Sequence, residues 1–482
     1  MDKRNLTLLC DFYELTMANG YFLCGKRDTV AYFDVFFRDV PDGGGFAIAA
    51  GLGQIIEYIK NLHFDDEDIK YLRAQELFDE EFLDYLRNFK FSGDIYAVPE
   101  GTPIFPREPV LTVKAPIIEA QFIETYILTA FNHQSLIATK ANRIARAADG
   151  RAVSEFGARR AQGADAALLG ARAAYIGGVN STSCTLTAKD YGMPVSGTMA
   201  HSWVQMFDDE YTAFKTYCQL YPDNATLLVD TYNVLKSGVP NAIKAFRECG
   251  IKNCGIRIDS GDIAYLTKKV RAMLDENGFP HCKIIVSNSL DEKIIADILR
   301  QGAKIDAFGV GERLITAKSH PVFGGVYKLA AIEGENGNIV PKIKISENHE
   351  KITNPHFKKL YRLYRKSTGR AIADYITLHD EIVDESQPIE LFDPIYTWKR
   401  QTVSDYYAVE LLKPIFINGK LVYETPPISE IRDYCQKQVA TLWEEVRRFE
   451  NPHRYYVDLS QKLWDLKNEM LSNGGKKKEV KK

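Results

Sequence analysis

The sequence predicts an α/β fold organised around a parallel sheet, closed or partly closed, and two observations carry that expectation. Five short apolar runs between about residues 196 and 320 each end in small or polar residues, and helix-like segments separate them. The polar residues His201, Asp230, Asp259 and Asn288 stand at or just past the first four ends at separations of 29, 29 and 29, with Gly309 following 21 later. Strand, helix and strand at roughly thirty residues per unit is the signature of βαβ units in a parallel sheet. Such a sheet places all its strand C-termini on one face, where ligand and catalytic groups collect.

In chain order the runs are "MPVSGTMAHS", "ATLLVDTYN", "GIRIDSGD", "KIIVSNSLD" and "IDAFGVGER". Between them "DIAYLTKKVRAMLDENG" and "SLDEKIIADILRQGA" read as helices. In the second, Ser289 and Glu292 have capping-box spacing, and Ile294, Ile295, Ile298 and Leu299 fall on one face. The flanks differ. Residues 30–50 suggest two strands around a glycine turn, with a helix from about 52 to 62. Residues 92–115 suggest short strands with proline turns, and 116–148 a long amphipathic helix pair. After about 325, "YKLAAIE", "IVPKIKIS" and "YYAVELLKPIFINGKLVYE" suggest β-rich structure, closed by a helix in "EIRDYCQKQVATLWEEVRRF".

Bulk composition narrows the function. The 482 residues allow two or three domains, and 45% hydrophobic with 26% charged residues is ordinary for a soluble globular chain. A net charge of -3, with both signs mixed along the chain, gives no field for holding a nucleic-acid backbone. The basic ending, 474–482, reads as a solvated, disordered tail. The eight cysteines form no CxxC pair, so a zinc knuckle, a redox motif and a disulfide scaffold are unsupported and a reducing compartment is expected. The N-terminus lacks the apolar core of a signal peptide, and no run of eighteen apolar residues occurs. A cytoplasmic protein that binds neither nucleic acid nor membrane is expected.

Several stretches carry candidate chemistry. His201, in "SGTMAHSWVQ", has a ring nitrogen able to act as nucleophile near neutral pH. In "GIRIDSGD" an arginine precedes two carboxylates, a set suited to ribose hydroxyls or to magnesium, while Arg257 offers a planar fork. The alternative for that stretch is Arg and Asp pairing with each other across the loop. "FGVGER" supplies glycines that let backbone amides approach a phosphate, although it is neither a Walker A motif nor GxGxxG. "SEFGARRAQG" sets Phe156 beside Arg159 and Arg160, a ring for stacking next to cations for phosphate, or else ordinary surface arginines.

"DFYELTMANGYF", "EFGARRAQGADAALLGARAAYIGG", "SGTMAHSWV", "VDTYNV", "IRIDSGD" and "FGVGERL", with "NPHRYYVDLSQKLWDLK" near the end, together resemble the nicotinate phosphoribosyltransferase family. The resemblance implies a type II phosphoribosyltransferase-like irregular α/β barrel joined to an α+β domain built from the N- and C-terminal segments. It places 1–130 with 340–482 in the α+β domain and 131–339 in the barrel. It also implies a homodimer with shared active sites. The implied reaction forms nicotinate mononucleotide and pyrophosphate from nicotinate and 5-phosphoribosyl 1-pyrophosphate. ATP hydrolysis as co-substrate is coupled through a phosphohistidine, and magnesium assists. By the resemblance His201 is the phosphorylated histidine and Asp230 the carboxylate that orients it. Arg257 and Asp259 serve the pyridine ring and ribose; Thr198 and Tyr13 contact nicotinate, Tyr13 from the partner subunit; Phe156 supplies the opposite stacking face. Arg159, Gly309, Gly311 and Thr316 match the region that holds phosphates. No residue is assigned to the metal directly.

Asn180, in "GGVNSTS", stands where the related nicotinamide enzyme has an aspartate, so it favours the acid over the amide if it faces the substrate. Nicotinamide and quinolinate transferases are the competing readings within the class. A Schiff-base aldolase lacks a lysine at the strand ends, and a pure binding protein has no need of a histidine with a carboxylate partner.

Overall fold

The computed structural model describes residues 4–347 and 351–474, so the expected basic tail lies, from residue 475, outside the described residues. The chain divides into two units. One comprises Ile137–Pro321 with Pro427–Arg432; the other comprises the residues up to Leu136, Val322–Pro426 and those from Asp433.

The first of these holds the parallel sheet. Its strand order is Ser181–Thr182, Ala152–Glu155, Ala307–Val310, Lys283–Ser287, Cys254–Ile258 and Ala225–Leu228, and every neighbouring pair is parallel. Short, near-continuous apolar runs such as "KIIVS" are what a sheet covered on both faces requires. Helices Val239–Glu248, Ile263–Glu276 and Glu292–Arg300 make the crossovers. Among the described residues no ladder joins Ala225–Leu228 to Ser181–Thr182, so the sheet is partly closed.

Two local expectations change. "MPVSGTMAHS" is not a strand: only Val195 forms a bridge, to Thr182, and His201 opens the five-residue helix His201–Gln205. Pro194 has no amide to give a ladder and Gly197 no side chain to pack, which explains the loss. The helix after Lys283–Ser287 is capped by Asp291, whose carboxylate accepts from the Ile294 amide, instead of by Ser289. Asn288 and Ser289 have φ of 84° and 51°, so the chain is still turning there and the cap falls two residues later. Ile295 and Ile298 are buried on the expected face.

The other unit carries a seven-stranded sheet in the order Ile339–Pro341, Gly325–Glu333, Val30–Phe37, Leu111–Pro116, Asp94–Ala97, Lys413–Ile417 and Lys420–Leu421. A four-stranded sheet orders Tyr406–Glu410, Lys358–Arg365, Ala371–Leu378 and Val457–Leu459. Strands Val30–Phe37 and Ala47–Ile48 both form but do not pair with each other; the second pairs with Pro103–Ile104. Strand Gly325–Glu333 pairs with Val30–Phe37, which sets the limit of this unit at Val322, ahead of the boundary at 339 that the resemblance implies. Helices Leu52–Asn61, Ile117–Phe122 and Glu124–Ala147 lie where expected; the helix expected in "EIRDYCQKQVATLWEEVRRF" spans Ile428–Thr441, and a later helix, Gln461–Ser472, follows it. Among the described residues no helix is long and apolar enough to cross a membrane.

Candidate active site

The ends of three adjacent strands bring the central residues together. Arg257 and Asp259 leave strand Cys254–Ile258 two residues apart, hence on the same side of the backbone. The Arg257 guanidinium is almost fully used. Its Nη2 donates to Asp259 Oδ1 at 2.9 Å, its Nε to Ser287 Oγ at 2.8 Å, and its Nη1 to Thr198 Oγ1 at 3.2 Å and the Met199 carbonyl at 3.4 Å. The Ser287 hydroxyl donates in turn to Asp259 Oδ1. Oδ1 of Asp259 is therefore saturated, and among the described residues no hydrogen bond takes up Oδ2. Arg257 and Asp259 thus pair with each other at the strand end, the alternative read for "GIRIDSGD".

Asp230 lies one strand over, its side chain 1% exposed. Oδ2 accepts from the Ser260 hydroxyl at 2.5 Å and from the Asp259 amide at 3.2 Å. Oδ1 has no hydrogen bond and stands 3.9 Å from His201 Nε2. The other ring nitrogen, Nδ1, is 3.0 Å from Thr231 Oγ1, and 40% of the His201 side chain is exposed. A histidine open on one side and backed by a buried carboxylate can keep its proton on Nε2, aimed at Asp230. Nδ1 then accepts from the Thr231 hydroxyl with its lone pair.

Phe156 lies under Arg257, whose Cζ is 5.6 Å from the ring centroid. The turn bearing the ring is pinned by Glu155, which accepts from the Gly157 amide and, at 2.7 Å, from the Thr182 hydroxyl. Burial raises the Glu155 pKa against the pull of those bonds. Gly309 and Gly311 are explained by this ring and its backbone. A Cβ on Gly309 would meet the Phe156 ring at 2.5 Å, and one on Gly311 would meet the Phe156 carbonyl at 2.9 Å.

Other expected residues stand apart from this network. Asn180 is not brought to the strand ends: its Oδ1 accepts the Val153 amide at 2.9 Å, beside the start of strand Ser181–Thr182. That bond ties the side-chain oxygen to the sheet edge. Thr316 Oγ1 donates to the Glu312 carbonyl at 2.7 Å, and Arg159 is exposed in the turn Ala158–Arg160. Tyr13 belongs to the other unit, on helix Phe12–Leu23, and is 45% exposed. Burial, followed by the charges of Glu124, Glu14 and Asp11, raises its pKa.

Sequence reasoning missed Thr231, Ser260 and Ser287 although each sits inside a quoted run. Their signal was adjacency to a strand-end carboxylate, which short hydroxyl side chains are suited to serve. Among the described residues no group of three or more His, Cys, Asp or Glu side chains is arranged to hold a metal. Magnesium needs no such cage when substrate phosphates and water complete its shell, and the unused Oδ2 of Asp259 fits that mode.

A partly closed parallel sheet that gathers these groups at its strand ends, in a chain with a separate α+β unit, defines the class of type II phosphoribosyltransferases. The nicotinate phosphoribosyltransferase N-terminal domain family matches residues 8–132, the nicotinate phosphoribosyltransferase (NAPRTase) family 151–368, and the nicotinate phosphoribosyltransferase C-terminal domain family 357–467. A nicotinate phosphoribosyltransferase of Bacillus subtilis is 46% identical over 97% of this chain and 95% of its own length. The Homo sapiens nicotinate phosphoribosyltransferase is 31% identical over 96% of each. The crystal structure of human nicotinic acid phosphoribosyltransferase superposes with a TM-score of 0.83 at 30% identity, covering 96% of this chain and 100% of that one. A nicotinate-nucleotide pyrophosphorylase from Pyrococcus furiosus gives 0.70 at 26% identity, covering 92% and 99%. The chain belongs to the nicotinate phosphoribosyltransferase family, a family of enzymes.

Proposed function

We propose that this enzyme forms nicotinate mononucleotide and pyrophosphate from nicotinate and 5-phosphoribosyl 1-pyrophosphate, the first step of NAD salvage from nicotinate, and hydrolyses ATP through phosphorylation of His201. The observation that carries the reading is the exposed imidazole backed by Asp230, whose second oxygen is tied to Asp259.

In the transfer step the bond from ribose C1 to pyrophosphate breaks, its electron pair leaving on pyrophosphate, and the pyridine nitrogen forms the new C1–N bond. Positive charge builds on the ribose as the leaving group departs. Asp259, held by Arg257 and Ser287, presents Oδ2 to a ribose hydroxyl and fixes the sugar's orientation. Phe156 offers the pyridine a stacking face. Arg257, with most of its donors committed, contributes a positive face near the nicotinate carboxylate instead of a two-pronged grip. Asp259 would be the residue that helps hold a magnesium ion, which would supply charge neutralisation on the diphosphate leaving group.

In the ATP step the lone pair of His201 Nδ1 forms the N–P bond while the γ-phosphorus bond to the bridging oxygen breaks toward ADP. The Nε2 proton stays between the ring and Asp230. Water later cleaves the N–P bond and releases phosphate. The enzyme works in the cytoplasm as a homodimer in which Tyr13 serves the site of the partner subunit. Leu9, Phe12, Tyr13 and Met17, all exposed around one helix start, support that association.

Incubation with γ-labelled ATP tests the reading. Acid-labile label appears on the wild type and is absent from His201→Ala, which retains slow, uncoupled transfer. Equal label on both proteins rules out the histidine's role.

A further inference from the structure

We propose that Asp230 transmits the state of His201 to Asp259, and that Ser260 is the positioning residue that sets this coupling. The inference rests on the phosphohistidine reading above and concerns how that event reaches the sugar site.

Asp230 has one taut attachment and one slack one. Oδ2 is held by the Ser260 hydroxyl at 2.5 Å and by the backbone amide of Asp259 at 3.2 Å. Oδ1 is buried without a hydrogen bond, 3.9 Å from His201 Nε2. A buried carboxylate oxygen left unpaired is costly, and a donor on Nε2 relieves it. In the unmodified ring the proton can sit on either nitrogen, since Thr231 Oγ1 beside Nδ1 can donate or accept. Phosphorylation on Nδ1 removes that choice: it takes up the lone pair, displaces the Thr231 bond and leaves the proton on Nε2. A full hydrogen bond to Oδ1 then needs closure by roughly 1 Å.

The carboxylate cannot make that movement alone. Oδ2 carries the Asp259 amide and the Ser260 hydroxyl with it, and the Asp259 side chain is part of the Arg257–Ser287 network. The histidine and the sugar-binding carboxylate thus pull on opposite oxygens of one group. Such coupling is reciprocal: substrate that holds Asp259 in place also favours the phosphorylated ring. Ser260 is exposed, and its hydrogen bond to Asp230 is the one side-chain bond it makes among the described residues. Its removal slackens the link without opening the core.

The test uses the full-length enzyme with magnesium, nicotinate, 5-phosphoribosyl 1-pyrophosphate and ATP. It measures ATP hydrolysed per nicotinate mononucleotide formed in wild type, Ser260→Ala and Ser260→Thr. In Ser260→Ala, His201 still takes label from ATP, but the ratio rises roughly tenfold, the effect of losing one hydrogen bond to a charged group. Ser260→Thr, which keeps the hydroxyl, restores the wild-type ratio. A purely structural defect lowers both activities in parallel and leaves the ratio unmoved. An unchanged ratio in a labelled Ser260→Ala enzyme overturns the inference alone. Absence of label on wild type overturns the phosphohistidine reading and the inference with it.

Discussion

Ser287, 3% exposed, is hydrogen-bonded to both Arg257 and Asp259, accepting from the first and donating to the second. One hydroxyl thus closes a ring of three side chains from two neighbouring strands. Arg257 and Asp259 would meet without it, at 2.9 Å, but the guanidinium would be free to turn about that single contact. Ser287→Ala leaves the Arg257 Nε unpaired inside the site and gives Asp259 Oδ1 only one partner. The expected result is a fall of roughly tenfold to a hundredfold in kcat/KM for both substrates, as a misplaced pair of binding groups produces. Steady-state kinetics alongside a melting curve decide it. A lower melting temperature with unaltered kcat/KM would make Ser287 a packing residue only.

Gly309 makes room for Phe156. An alanine there would place its methyl 2.5 Å from two ring carbons, too close for any side chain, with Ser287 Cβ a further 3.3 Å neighbour. The ring, half-buried, is the part that can yield. Gly309→Ala is expected to raise KM for nicotinate on the order of tenfold, the weight of one displaced aromatic contact. KM for 5-phosphoribosyl 1-pyrophosphate should change less. The reverse pattern, in which the sugar phosphate is lost first, would return Gly309 to the phosphate-binding role read from the sequence.

Asn180 gives the opposite kind of expectation. Its side-chain oxygen accepts from the Val153 amide, and an aspartate can accept the same bond. Asn180→Asp is therefore expected to leave the preference for nicotinate over nicotinamide within about twofold of wild type, with the choice made at the Arg257 network. Competition assays with the two pyridines measure it. A swing toward nicotinamide would show that the residue reaches the substrate after all.

Four of the six strands were legible because Ala225–Leu228, Cys254–Ile258, Lys283–Ser287 and Ala307–Val310 are largely buried apolar runs that end abruptly in small or polar residues, whereas Ala152–Glu155 and Ser181–Thr182 are not such runs. Asp230, Asp259 and Asn288 do follow three successive strands at even intervals. His201 broke the pattern while keeping the spacing. Its run contains Pro194 and Gly197 and folds as coil leading into a helix, so the equal interval there carried no strand. The hydroxyl partners were harder to find. Serine and threonine at strand ends are common and show no periodicity, and only the register Ser287↔Gly309 with the pairing Val286↔Ile258 sets Ser287 beside Asp259. The remaining unit was read least well, because its sheets join strands far apart in sequence, such as Val30–Phe37 with Gly325–Glu333. Short-range patterning holds no record of such partners.

Glu14 supplies a pH dependence outside the histidine network. Its carboxyl is buried on helix Phe12–Leu23, accepts from the Thr125 amide at 3.1 Å and hydroxyl at 2.6 Å, and leaves its other oxygen unpaired. Burial comes first among the causes that push its pKa up to about 8; the negative charges of Glu124 and Asp11 add to it, and the two Thr125 bonds oppose it. Near pH 4 and below, folded and unfolded chains both hold the proton. Between the ordinary glutamate value of 4.5 and about 8 the unfolded chain releases it while the folded chain keeps it, so this group's contribution to stability is lost as pH rises. Above that window both forms are ionised and the penalty is constant. Glu14→Gln keeps the oxygen that accepts from Thr125 and never ionises. Its melting temperature, compared with wild type in matched buffers, is expected to gain steadily from pH 5 to pH 8 and then level off. A difference that stays flat across that range would mean Glu14 is already ionised in the folded enzyme, with Thr125 alone compensating its burial.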